Sequence, residues 1–208
     1  LVKPGQFVHL RVPGLEGSVL RRPFSIYRVG KKTLSILYKV VGRGTAAMQN
    51  LKPGQTLSLM GPLGNGFPLA IPSKAIPVLV AGGYGTAPLV LVAKRLKRKG
   101  VVFIGGAGAK DILCARDFKK LGWPVQVATE DGSMGTRGRV TRILDIWLKK
   151  QAAGTLLQFY ACGPNGLLKA VGERAKKFKA KAWLSLDRHM GCGVGACLRT
   201  QQNCVGGT

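Results

Sequence analysis

Near residue 75 the apolar residues change their period, and that change restricts the chain to two architectures laid end to end. Before it, short alternating runs at 6–12, 25–29, 34–41 and 56–60 are broken by Gly and Pro, which predicts an antiparallel barrel or sandwich. A short helix is expected over 45–50, ahead of the Pro53-Gly54 turn. After it, apolar runs at 77–81, 101–104, 125–129 and 156–161 alternate with helical stretches at 87–99, 112–121, 140–150 and 167–178. That alternation means βαβ units and a parallel sheet. Residues 182–186 offer a further strand, and the last twenty residues are Gly- and Cys-rich, as in a loop that needs a metal to hold it. The expected organisation is a β-barrel over 1–72, an α/β domain over 73–183 and a cysteine segment over 184–208.

No run of eighteen apolar residues is present, so no membrane span is expected. The start, Leu1-Val2-Lys3-Pro4-Gly5-Gln6, lacks the order of a secretory signal and reads like the middle of a domain, so upstream residues are expected. Of five cysteines, Cys114 and Cys162 sit alone in apolar stretches, while Cys192, Cys197 and Cys204 crowd the end. An odd count, clustered in this way, reads as buried thiols plus a metal-directed group in a reducing, cytoplasmic setting. Thirty-three Lys and Arg face eight Asp and Glu, a formal +25. The cations are densest at 94–99 and 176–181, where predicted helices end and the dipole favours them. Aromatic residues do not interleave with them as single-stranded nucleic acid requires, so no specific nucleic-acid partner is expected. An acidic partner chain is a use for the excess.

Three motifs carry chemistry. Arg22-Pro23-Phe24-Ser25 sets a guanidinium, an aromatic ring and a hydroxyl on one strand. Arg can bridge a pyrophosphate through parallel bonds, and Ser25 could bond flavin N5. Gly42-Arg43-Gly44-Thr45 offers amides for a second phosphate at a helix start. Gly82-Gly83-Tyr84-Gly85 follows a predicted strand and opens a helix, the context of a dinucleotide phosphate loop. Ala87-Pro88 stands where a third glycine is usual, and Pro88 suits a first helical turn. Cys162-Gly163-Pro164 and Thr129-Glu130-Asp131-Gly132-Ser133 each follow a strand and could line the same crevice. The third motif, Cys192-x4-Cys197 in a Gly-rich loop, favours an iron–sulfur site over a zinc site that would recruit His189.

These motifs, with Lys3-Pro4-Gly5-Gln6-Phe7 and the run Ser185-Leu186-Asp187-Arg188-His189-Met190-Gly191-Cys192, resemble the electron-transfer subunits of NAD-dependent, two-subunit dihydroorotate dehydrogenases, within the ferredoxin reductase-like flavoproteins. The likeness covers nearly all of the chain. It implies a Greek-key FAD barrel, an NAD-binding α/β domain and a 2Fe–2S segment. By it, FAD is held by Arg22, Pro23, Phe24 and Ser25, by Lys39 and Val40, and by Gly42, Gly44 and Thr45. Gly82, Gly83, Gly85, Thr86, Asp131, Cys162 and Gly163 border the nicotinamide nucleotide. Ser25 and Cys162 are the residues expected at the reacting atoms, and Cys192, Cys197 and Cys204 are the cluster ligands. Thr200 stands where the family has a further cysteine. The partner implied is an FMN-containing catalytic subunit in a heterotetramer of two of each chain.

Two other readings share parts of this sequence. Reductase subunits of ferredoxin-dependent transhydrogenases or hydrogenases would show the same motifs with another partner. A basic nucleic-acid-binding protein with a zinc-stabilised tail would leave both nucleotide motifs unexplained. The choice between NAD and NADP stays open, because Gly105-Gly106-Ala107-Gly108 carries neither an acid nor an Arg, and Lys110 and Asp111 follow side by side.

Overall fold

The computed structural model describes residues 1–15 and 20–186. Four strands, β1 (Phe7–Arg11), β2 (Arg22–Val29), β3 (Leu34–Ile36) and β4 (Ser58–Leu63), form an antiparallel sheet in the order β3-β2-β1-β4. That order is a Greek key, as expected. Alternation builds its core: Val8 and Leu10 on β1 face Phe24 and Ile26 on β2, and all four are buried. The short helix α1 (Arg43–Met48) lies between β3 and β4.

Six all-parallel strands follow: β5 (Ile76–Gly82), β6 (Val101–Gly106), β7 (Val125–Thr129), β8 (Thr136–Arg137), β9 (Leu157–Cys162) and β10 (Lys181–Ser185). Their order is β10-β9-β5-β6-β7-β8. The chain therefore builds outward from β5 in one direction and returns to β5's other side with β9. Open α/β sheets bind ligands at such a reversal, beyond the carboxyl ends of the strands. Helices α2 (Thr86–Arg95) and α3 (Ala115–Lys120) cover one face, and α4 (Val140–Lys149) and α5 (Asn165–Lys177) the other.

Helix α2 is buried along Thr86–Ala93. A helix apolar on all sides must be enclosed, and here both sheets enclose it. Leu89, Val90, Val92 and Ala93 pack under the parallel sheet, whereas Leu91 belongs to the antiparallel core. The linker is tied down as well. Phe67 stacks edge-on to Tyr160 at 5.8 Å, and Tyr160 Oη donates to the Pro68 carbonyl at 2.9 Å.

Several boundaries differ from expectation for local reasons. Helix α2 stops at Arg95 rather than 99, because Leu96 turns into the core beside Trp123, whose indole N–H donates to the Ala93 carbonyl at 3.2 Å. The helix expected over 112–121 begins only at Ala115, after a left-handed Cys114 at φ 59. The strand expected over 34–41 ends at Ile36, and residues 37–39 turn to line a cleft instead of pairing. β8 was not expected at all; two residues carry no period. No helix among the described residues is long and apolar enough to cross a membrane.

Candidate functional site

Between the two sheets lies a cleft of about 1210 Å³. One wall is β2. Arg22, Pro23, Phe24 and Ser25 all reach it, and Phe24 also meets Tyr38 edge-on at 5.9 Å. Arg22 donates to the Leu20 carbonyl at 2.8 Å and lies against buried Gly44, where a Cβ would approach Arg22 Nε to 3.1 Å. Gly44 thus acts by giving Arg22 room. Thr45 lines the cleft and closes the α1 entry, accepting from the Val41 N–H at 2.9 Å and donating to the Gly42 carbonyl at 3.1 Å. Lys39 and Val41 line it; Val40 and Gly42 lie beside it, outside the lining.

The opposite wall is the reversal point of the parallel sheet. β5 runs out through Gly82 into a tight turn, Gly83–Gly85, and then α2. Gly83 takes φ +53, which favours glycine. A Cβ on Gly85 would sit 2.1 Å from the Cys162 carbonyl oxygen, so the loop and the end of β9 touch backbone to backbone. Gly82, Gly83, Gly85, Cys162 and Gly163 all line the cleft. Thr86 does not. It is fully buried, and its hydroxyl donates to the Gly83 carbonyl at 2.8 Å, which fixes the turn from below.

Further along, Asp111 caps the loop after β6, accepting from the Ala107 and Gly108 N–H groups at 3.2 and 3.3 Å. Its other oxygen is 3.9 Å from Lys39 Nζ, an ion pair spanning the cleft. Glu130, at the end of β7, lines the cleft 3.9 Å from Arg139. Asp131 lies outside the lining. It accepts from the Ser133 hydroxyl at 2.7 Å and the Ser133 N–H at 2.9 Å, and these bonds hold its carboxyl below the usual range. Tyr38 and Arg139 belong to the cleft without having been singled out, and Asn165, which continues the Cys162-Gly163-Pro164 motif, lines it as well. Tyr38 was hidden inside an expected strand, Arg139 carries no local signal, and Asn165 follows Pro164 as the first residue of α5.

The final residues of β10 matter too. Ser185 and Leu186 line the cleft, so the chain enters its cysteine segment from there. Cys192, Cys197, Cys204 and His189 lie outside the described residues. Among the described residues, no group of three His, Cys, Asp or Glu could hold a metal ion.

No family model matches the chain. Curated relatives do. The dihydroorotate dehydrogenase B (NAD(+)) electron transfer subunit of Desulforamulus reducens is 39% identical over 204 residues, covering 95% of this chain and 76% of that protein. The subunit of the same description from Geobacillus kaustophilus is 40% identical, covering 94% and 75%. The chain belongs to the dihydroorotate dehydrogenase B electron transfer subunits. Solved structures share its fold. An NADH-dependent reduced ferredoxin-NADP oxidoreductase superposes with a TM-score of 0.80 at 27% identity, over 95% of this chain and 71% of that one. A ferredoxin NADP+ reductase from Neisseria gonorrhoeae superposes at 0.67 with 16% identity, over 89% and 87%, and shares the fold. For a dihydroorotate dehydrogenase B electron transfer subunit, the cleft joins the elements its motifs mark: β2, the Gly82–Gly85 loop and the end of β9.

Proposed function

We propose that this chain is the electron-transfer half of a two-subunit dihydroorotate dehydrogenase, taking electrons from an FMN-bearing partner and delivering them to NAD+. Residues 1–72 form its FAD-binding part, 73–183 its NAD-binding part and 184–208 its cluster segment. The observation that carries the reading is that the Arg22–Ser25 strand, the glycine loop and the start of the cysteine segment all open onto one cleft.

The cleft exceeds the ~300–1,000 Å³ of ordinary small-molecule sites, which suits a flavin together with a nicotinamide nucleotide. Arg22 and Thr45 would hold the FAD pyrophosphate, with Lys39 and Tyr38 along its length. Ser25 would bond flavin N5. The turn at Gly83–Gly85 and the N–H groups opening α2 would take the nucleotide pyrophosphate, and Cys162 would border the nicotinamide. Asp111 keeps the neighbouring loop closed by satisfying its N–H groups. When bound, FAD supplies the exchange between paired and single electrons. Cys192, Cys197 and Cys204 would supply three of the four donors that a 2Fe–2S cluster takes. The partner would perform the substrate oxidation, in a heterotetramer of two of each chain.

The likeness to a reduced ferredoxin-NADP oxidoreductase favours one alternative, a reductase subunit with a ferredoxin-linked partner. The test is the visible spectrum of protein purified without air, before and after NADH, with identification of whatever chain co-purifies. A flavin band that bleaches, with a dihydroorotate-oxidising partner, supports the proposal. A ferredoxin-linked partner transfers the chain to the alternative, and a colourless protein overturns both.

A further inference from the structure

Eleven of the thirty-three Lys and Arg gather at the end of the molecule away from the cleft. Each helix of the parallel sheet returns against its strands, so α2, α3, α4 and α5 all end at the strands' amino edge. Each end is basic. Lys94 and Arg95 close α2, and exposed Lys97, Arg98 and Lys99 follow. Lys119 and Lys120 close α3. On the other face, Lys149 closes α4 and Lys177 closes α5, with exposed Lys150 and Lys179 next in the chain.

These ends adjoin. A Cβ on Gly122 would lie 2.5 Å from Lys99 Nζ, so the tail of α2 lies over the end of α3. Lys149 and Lys177 share a groove between α4 and α5. Carboxylates there are few, and one of them, Glu173, lines the same groove as Lys149 and Lys177. Asp117 bonds Tyr27 and Arg28, and Asp145 pairs with Arg174 at 2.6 Å.

Helix dipoles favour cations only within the last turn. Lys97, Arg98, Lys99, Lys150 and Lys179 lie past it. Charges closer than the ~8 Å screening length repel one another, so this edge gains from an external counter-charge.

We infer that the amino edge of the parallel sheet binds the phosphate backbone of double-stranded nucleic acid without reading its sequence. Its composition separates this ligand from others. Protein interfaces deplete lysine and rely on aromatic or arginine anchors; here lysines outnumber Arg95 and Arg98, and the large exposed apolar side chains beside them are Phe178, 36% exposed, and Leu156, 53% exposed, just before β9. Stable adsorption to a lipid surface needs an apolar signal besides a polybasic one. Phosphate contact needs only the cations. Five strands spaced ~4.8 Å apart make the edge roughly 20 Å wide. A duplex presents about a dozen charges over that length, of the same order as the cations facing it.

The test is fluorescence anisotropy of a short labelled DNA duplex with the purified holoprotein across a series of salt concentrations. The edge variant Lys97→Gln/Lys99→Gln/Lys120→Gln is compared with Arg11→Gln/Lys52→Gln/Lys169→Gln, which removes the same charge elsewhere. Flavin content and flavin reduction by NADH show that both variants are folded. The slope of log affinity against log salt should fall by about 0.9 for each lysine that touches phosphate, a loss confined to the edge variant. Equal losses in both variants, or no duplex binding by the parent protein, overturn the inference. Tighter binding to phosphatidylglycerol vesicles or to an acidic partner chain than to the duplex also overturns it, and assigns the edge to that ligand.

Discussion

Tyr27 and Asp117 meet across the seam between the two sheets, the phenol donating to the carboxylate at 2.5 Å. Arg28 bonds the other oxygen of the same carboxylate and lies 4.6 Å over the Tyr27 ring. Burial, and then this bond, push the Tyr27 phenol well above its ordinary range, so it stays a donor at neutral pH. Tyr27 is two residues from Ser25 on β2, so the contact ties the strand proposed to hold FAD to the parallel-sheet half. Asp117→Asn removes the charge both partners use. It should cost about 1–2 kcal/mol, since Arg28 is more than half exposed. Urea unfolding should show one transition at a lower midpoint; an unchanged midpoint would remove Asp117 from this role.

Gly85→Ala places a methyl group 2.1 Å from the Cys162 carbonyl, which is backbone and cannot swing aside. The loop must shift, at about 1–3 kcal/mol by analogy with overpacked cores. The expected result is a KM for NADH raised at least about tenfold with FAD retained. Normal NADH affinity would show that the loop does not hold the nucleotide.

His9 is 1% exposed, and its Nε2 has no partner among the described residues. Burial, and then the Arg21 charge, hold its pKa below the ordinary value of 6.5. The imidazole is therefore neutral in the fold. Below about pH 6.5 the unfolded chain binds a proton that the folded chain refuses. Stability from this group is complete above that pH and declines as pH falls. The Tm of the parent protein should drop more steeply than that of His9→Met on acidification from neutrality. Parallel curves would mean that His9 titrates alike in both states.

Cys197→Ser should abolish any iron–sulfur absorption while leaving the flavin band and its bleaching by NADH intact, because the cleft proposed to hold FAD and NADH is lined by other residues. Loss of flavin together with iron would show that the segment supports the fold of the cleft. Retention of both would remove Cys197 from the ligand set.

Legibility in the sequence followed the range of the interaction involved. The strand–turn–helix around Gly82–Gly85 could be read because a buried strand, a glycine turn and a helix start leave a local signature within about ten residues. The end of α2 could not. KRLKRKG continues a helix well on propensity, and only the distant Trp123 explains why Leu96 leaves it. Cys114 likewise takes φ 59 at a point where no glycine signals a break. In the site, glycines whose neighbours are close in sequence were legible, whereas Lys39 meeting Asp111 needs the two sheets brought together. Thr86 was read as bordering the nucleotide from its place in the motif; its hydroxyl donates to the Gly83 carbonyl, and it lies outside the cleft lining.

Helix α2 contributes Leu91 to one hydrophobic core and its neighbours to the other. Recombination between relatives is constrained accordingly. A crossover in the linker before β5 would join an antiparallel sheet from one parent to a helix shaped for another. The chain reads as two modules, but what can be inherited as a unit is the N-terminal sheet together with the helix that packs beneath it.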